Sequence, residues 1–209
     1  MRVTILDYGA GNLHSVVKAL SVEGIEARCE PDPLKALATD ALVLPGVGAF
    51  APAAERLAPA RGEIRRAILG GLPTLGICLG MQLLFDASDE GEGHGLGVLT
   101  GQVKRLNARR LPQVGWNSID RTRDPLFSES GLRLGYYANS FVCRPADAAH
   151  ACAWSTHETD TFAAAVRRGS CVGVQFHPEK SSLPGIRFLR AWLLEAAAVR
   201  GATSLGVLR

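Results

Sequence analysis

The sequence predicts an α/β fold: an open, mostly parallel twisted sheet flanked by helices, with a smaller antiparallel β portion in the middle of the chain. Three observations predict it. From Arg2 to Ser88, short apolar runs alternate with segments of helical period, the pattern of βαβ units. Between Gly91 and about Ala151, apolar residues come in short runs broken by Gly, Pro and Asn, which reads as strands and hairpins. After that come two apolar runs and one long helical segment.

Taken in order, "RVTILD" (2–7) is a buried strand and "YGAGN" (8–12) a turn. "LHSVVKALSVEG" follows as a helix with Leu13, Val16, Val17 and Leu20 on one side, ended by Gly24. "IEARC" is a second strand and "DPLKALAT" a short helix. "ALVLPG" is a third strand that ends in a glycine loop, and residues 61–69 form a helix. "LPTLGIC" is a fourth strand, leading into the helix "LGMQLLFDAS". Late in the chain, "FAAAVRR" and "CVGVQF" are strands joined by a turn at Gly169-Ser170. The last helix covers about 185–200, with Ile186, Leu189, Leu193 and Ala197 on one face. One domain over 1–200 and a tail over 201–209 are expected.

Composition narrows the function. The chain has 209 residues, is 47% hydrophobic and carries a formal charge of +3, so it can bury a sizeable core. Its basic residues are dispersed. Arg65-Arg66, Arg109-Arg110 and Arg167-Arg168 are pairs, not a stripe with interleaved aromatics, so no nucleic-acid partner is expected. No apolar stretch reaches the roughly 18 residues of a membrane span, and the first residues run straight into a strand. The five cysteines are odd in number and widely spaced, with no CxxC pair. That pattern suits a cytoplasmic chain and argues against a disulfide framework or a zinc site. No metal and no cofactor are expected.

Four constellations carry chemistry. "YGAGN" lacks the third glycine of a dinucleotide fingerprint, with His14 in its place, so it is read as a tight turn. In "GICLG", Cys78 ends a strand and opens a helix, the arrangement of a nucleophile elbow. Small neighbours at Gly76 and Gly80 allow a sharp turn, and the following helix start favours the thiolate. In "QFHPEK", His177 can serve as the base a thiol needs, and Glu179 can fix its tautomer. In "LPGVGAF", a glycine loop after a strand offers backbone N–H groups to an oxyanion.

"PGVGAF", "GICLGMQLLF" and "FHPEKS", in that order and spacing, resemble the class I (triad) glutamine amidotransferases. "DYGAGNLHSVVKAL", "VGWN" (114–117) and "FHPEKS" bring the resemblance closer to the glutaminase subunits of imidazole glycerol phosphate synthases of histidine biosynthesis. It runs from Val3 to about Leu194. It implies a flavodoxin-like sheet and a Cys78–His177–Glu179 triad acting on glutamine through a glutamyl thioester. It implies oxyanion donors at Val47 and Leu79, and glutamine held by Gly48, Gln82 and the main chain around Ser140 and Phe141. It also implies a heterodimer with a (β/α)8 cyclase subunit that receives the ammonia, with Trp116, Asn117, Tyr136 and Lys180 at or near the interface. Three positions depart from the family pattern: "PQVGWN" has Gln113 and Val114 where "PHMGWN" is usual, and Asn139 stands where a histidine is common. A glutaminase serving another synthase, a cysteine hydrolase on a similar sheet and an inactive regulatory module are the competing readings. "GWN" argues against the first, the His-x-Glu pairing against the second and the intact triad against the third.

Overall fold

A computed structural model describes residues 1–9 and 13–201. The rest of the "YGAGN" turn and the expected tail, 202–209, lie outside the described residues. In chain order the elements are β1 (Arg2–Leu6), α1 (Leu13–Leu20), β2 (Glu26–Glu30), α2 (Pro33–Ala36), β3 (Ala41–Leu44), α3 (Phe50–Leu57), α4 (Arg61–Leu69), β4 (Thr74–Ile77) and α5 (Leu79–Leu83). Then come β5 (Ala87–Ser88), β6 (Gly101–Arg105), β7 (Gln113–Ser118), β8 (Arg121–Thr122), α6 (Pro125–Ser130), β9 (Leu134–Asn139) and β10 (Phe141–Pro145). β11 (Ala151–His157), β12 (Asp160–Arg168), β13 (Cys171–Val174) and α7 (Ser182–Val199) follow.

Among the described residues the main sheet has eight strands in the order β2-β1-β3-β4-β13-β12-β11-β8. The β2, β1, β3, β4 and β13 strands are parallel, and β12, β11 and β8 continue the sheet antiparallel. Two small sheets stand apart from it, β10-β6-β5 and the ribbon β7-β9. Alternation along the strands sends side chains to opposite faces. Val3, Ile5, Val43, Leu75 and Ile77 pack with Leu20, Phe188 and Trp192 on one face. Leu6, Leu42 and Leu44 pack with Phe50, Leu57, Ile64 and Met81 on the other. Helices α1, α6 and α7 thus cover one face, and α3, α4 and α5 the other. No helix among the described residues is long and apolar enough to cross a membrane.

Several elements differ from the sequence reading. Helix α1 stops at Leu20, where the Ser21 N–H and hydroxyl both donate to the Val17 carbonyl, and Gly24, at φ +80°, turns the chain into β2. The stretch "LGMQLLFDAS" is helical only to Leu83 and ends in the strand β5. Helix α7 begins at Ser182, before the expected start. Two helices went unread. For α6 a signal was present: the Asp124 side chain caps Leu126 N–H, Pro125 opens the helix and Gly131 closes it at φ +70°. Helix α3 has no side-chain cap, so only its apolar spacing announced it. The expected middle β portion is present as β10-β6-β5 and β7-β9, while β8 within it and β11 just after it join the main sheet.

Candidate active site

Strand β4 ends at Ile77 and α5 starts at Leu79, so Cys78 alone makes the corner. Its backbone lies at φ +52° and ψ −104°, a region that L residues occupy only under strain. The corner is held at both ends. Cys78 N–H donates to the Val174 carbonyl at 2.7 Å, and its carbonyl accepts from Gln82 N–H at 3.1 Å. The flanking glycines are sterically required. A Cβ on Gly80 would lie 1.8 Å from the Leu44 carbonyl oxygen, and one on Gly76 would lie 2.7 Å from the Gly80 oxygen. "GICLG" therefore folds as a tight elbow that presents the thiol at the carboxyl end of the sheet.

His177 reaches the same end because β13 pairs parallel with β4, Val174 lying opposite Ile77. Its Nδ1 is 2.9 Å from Glu179 Oε1, and the two side chains are 2% and 3% exposed. Pro178 begins the short 3-10 turn that folds Glu179 back under the ring. His177 N–H donates to the Tyr136 carbonyl, while the Ser181 hydroxyl donates to the His177 carbonyl and accepts from Tyr136 N–H. With Nδ1 engaged by the carboxylate, Nε2 is the nitrogen left to serve the thiol, and it is buried without a hydrogen bond of ordinary geometry. Burial alone would lower the imidazole pKa. The Cys78 sulfur and the Glu179 carboxylate outweigh it and raise the pKa to about 10. The ring therefore holds a proton when the sulfur is charged, as an ion pair of nucleophile and acid requires.

A cavity of about 220 Å³ opens beside Cys78, lined by Val47, Gly48, Leu79, Gln82, Glu90, Ser140 and Phe141 among others. It gathers the expected oxyanion and substrate positions in one place. Gly46 is pressed onto the elbow, since a Cβ there would meet Leu79 Cβ at 2.8 Å. The Tyr8 hydroxyl donates to the Pro45 carbonyl and pins the start of the glycine loop. Gln82 Nε2 donates to the Phe141 carbonyl at 3.2 Å. No group of three His, Cys, Asp or Glu side chains among the described residues is placed to hold a metal ion.

Sequence reasoning missed Glu90, Gln175 and Tyr8. Glu90 lines the cavity and accepts from Phe50 N–H at 2.9 Å, but it sits in an acidic loop with no pattern to single it out. Gln175 does carry a signal, being two residues before His177.

Trp116, Tyr136 and Lys180 form a second group, on the outward side of the β7-β9 ribbon. The Trp116 and Tyr136 rings meet edge to face at 6.1 Å, and Lys180 Nζ stands 5.7 Å from the Tyr136 ring. Val114 and Trp116 are 63% and 50% exposed there. Asn117 is not brought to this face. It points inward, and its Nδ2 donates to the Thr156 carbonyl at 2.9 Å.

A strained cysteine elbow, a buried His–Glu pair and a glycine loop at the carboxyl ends of a parallel sheet define a thiol amidotransferase centre. The family model of class-I glutamine amidotransferases matches residues 4–196, and the chain belongs to that family. It is 41% identical over 204 residues to the imidazole glycerol phosphate synthase subunit HisH of Cyanothece sp., covering 94% of this chain and 97% of that one. It is 44% identical over 200 residues to the HisH subunit of Symbiobacterium thermophilum, covering 91% and 92%. A crystal structure of a glutamine amidotransferase superposes with a TM-score of 0.72 at 24% identity, over 93% of this chain and 98% of that one, and shows the shared fold.

Proposed function

We infer that this chain is the glutaminase subunit of an imidazole glycerol phosphate synthase, acting in the cytoplasm. The observation that carries the chemistry is the buried His177–Glu179 pair beside a thiol held at φ +52°. Cys78 attacks the side-chain amide carbon of glutamine, and the developing oxyanion is met by the N–H groups of Leu79 and Val47. His177 passes its proton to the leaving amine, so the C–N bond breaks, ammonia departs and a glutamyl thioester remains. His177 then takes a proton from water, which attacks the thioester and releases glutamate and the thiol. Gly48, Gln82 and the main chain of Ser140 and Phe141 hold glutamine, and Glu90 adds a carboxylate suited to its α-ammonium group.

The ammonia passes to a (β/α)8 cyclase subunit in a heterodimer, where imidazole glycerol phosphate and AICAR are made for histidine biosynthesis. The outward face of β7-β9, with Trp116, Tyr136 and Lys180, supports this docking, since exposed aromatics anchor interfaces. Asn117 supports the ribbon from within. The test is glutamate release from glutamine with and without the cyclase subunit. A rate that rises on adding the cyclase, with the two chains eluting together, is expected. Glutamate release indifferent to a cyclase that does not co-elute would refute the synthase assignment.

A further inference from the structure

We propose that Gln175 is a further catalytic residue, an N–H donor to the Cys78 sulfur whose orientation is set from the substrate cavity through Gln82 and the Phe141 carbonyl. The proposal deepens the reading above and rests on Cys78 being the nucleophile.

Three contacts fix the geometry. Gln82 Nε2 donates to the Phe141 backbone carbonyl, an atom that can only accept. That identifies the nitrogen end of Gln82, which also lies 3.4 Å from Gln175 Oε1. With its oxygen so engaged, Gln175 turns its Nε2 to Cys78 Sγ at 3.5 Å. A flipped Gln175 would set oxygen against the sulfur and nitrogen against nitrogen. The backbone is fixed as well, because Gln175 N–H donates to the Ala164 carbonyl at 2.9 Å.

The side chain is fully buried. Placing a carboxamide there is costly unless its bonds are used, and an apolar residue would fill the same space without that cost. What the amide adds is a donor that favours the charged sulfur over the neutral thiol. The other titratable groups around the sulfur are His177, with Glu179 behind it, Tyr8 from the end of β1, Cys143 from β10 and Glu90 in the cavity wall. Tyr8 and Cys143 are both pushed up, first by burial and then by the charge on Cys78, so they stay neutral. From the β13 end, Gln175 donates to the sulfur while His177 supplies positive charge beside it.

The test is alkylation of Cys78 by iodoacetamide across a pH series on the full chain, read by peptide mass spectrometry. Gln175→Met keeps the volume and removes the N–H. Its alkylation midpoint should rise by about one pH unit, a roughly tenfold slower labelling below the midpoint. Gln82→Met does not touch the sulfur but frees the Gln175 amide to rotate, so its midpoint should rise by less. If Gln175→Met does not fold, Gln175→Leu serves in its place. A midpoint equal to the parent's, with Cys78 labelled and thermal unfolding unchanged, overturns the proposal and leaves the nucleophile standing. Labelling of a different cysteine in the parent overturns the nucleophile itself.

Discussion

The cavity around Cys78 and the β7-β9 ribbon are neighbours built on opposite terms. In the cavity the reactive groups are buried and each is fixed by backbone or side-chain bonds: Cys78 to Val174 and Gln82, His177 to Tyr136 and Glu179. On the ribbon, Val114, Trp116 and Leu134 are exposed apolar side chains, and the Trp116 ring meets that of Tyr136. Tyr136 belongs to both regions. Its carbonyl holds His177 N–H, its N–H is held by Ser181, and its ring lies on the outward face between Trp116 and Lys180. The difference teaches that the reactive groups are held from within this chain, while the ribbon keeps an exposed apolar face. The two backbone hydrogen bonds of Tyr136, to His177 and to Ser181, connect the regions.

The sharpest break of the comparison removes the chemistry and leaves the docking. Cys78→Ala should lower glutamine-dependent turnover of the complex by at least about 10³, since a nucleophile and its base act as a unit. Assembly and ammonia-driven synthesis should be unchanged. The same variant should lower the His177 pKa: burial already pulls it down, and removing the sulfur leaves Glu179 as the main group raising it. Proton NMR of the imidazole reads this directly, and a His177 pKa still near that of the parent would contradict the ion pair.

Val47→Pro removes one oxyanion N–H from the glycine loop and leaves the elbow untouched. A loss of about 10² in stimulated turnover is expected, with a smaller loss in the chain alone. Circular dichroism must first show that it folds, because proline also restricts Gly46. A folded variant with full stimulated turnover means that Val47 is not a donor.

The two regions were not equally legible in the sequence. The elbow could be read because local sterics write it: Gly76 and Gly80 cannot carry a side chain where they stand. The parallel strands could be read because burial on both faces leaves continuous apolar runs. Helix α3 was missed because no side-chain cap marks its start, and α6 because it interrupts a stretch dominated by strand and turn signals. That β11 and β8 join the main sheet depends on pairings between residues far apart in the chain, such as Trp154 with Arg121, which no local pattern records. Asn117 was placed on the interface by resemblance. Strand alternation would have sent it inward, opposite to Trp116, as the structure does. Gln175 was passed over because its role depends on two partners, Gln82 and Phe141, that are distant in sequence.

On the ribbon side, Trp116→Ala should weaken cyclase binding by about 2 kcal/mol, the scale of an aromatic hot spot, or roughly thirtyfold in Kd. Isothermal titration calorimetry would measure it. Glutaminase turnover at saturating cyclase should change far less than affinity. Lys180→Ala should affect affinity less and stimulation more, since the ammonium faces the Tyr136 ring whose backbone holds His177. If Trp116→Ala binds like the parent, the exposed face is not the docking surface.

The smallest expected effect tests whether the elbow is strained as its backbone suggests. Cys78→Ala and Cys78→Gly both delete the thiol, so any contribution of the sulfur cancels between them. Alanine must still hold φ +52° and ψ −104°, whereas glycine reaches that region without a Cβ penalty. Strain of this kind is worth about 1–3 kcal/mol, and the extra freedom of glycine in the unfolded chain returns about 0.5–1 kcal/mol of it. Cys78→Gly should therefore be more stable than Cys78→Ala by about 1 kcal/mol, a few degrees in melting temperature for a chain of this size. Urea titrations of the two variants without partner would separate them, and a glycine variant no more stable than the alanine one would mean that the corner is relaxed. The ribbon offers the control: at Trp116, which has no positive φ, alanine should be more stable than glycine, so the order of the two variants reverses between the regions.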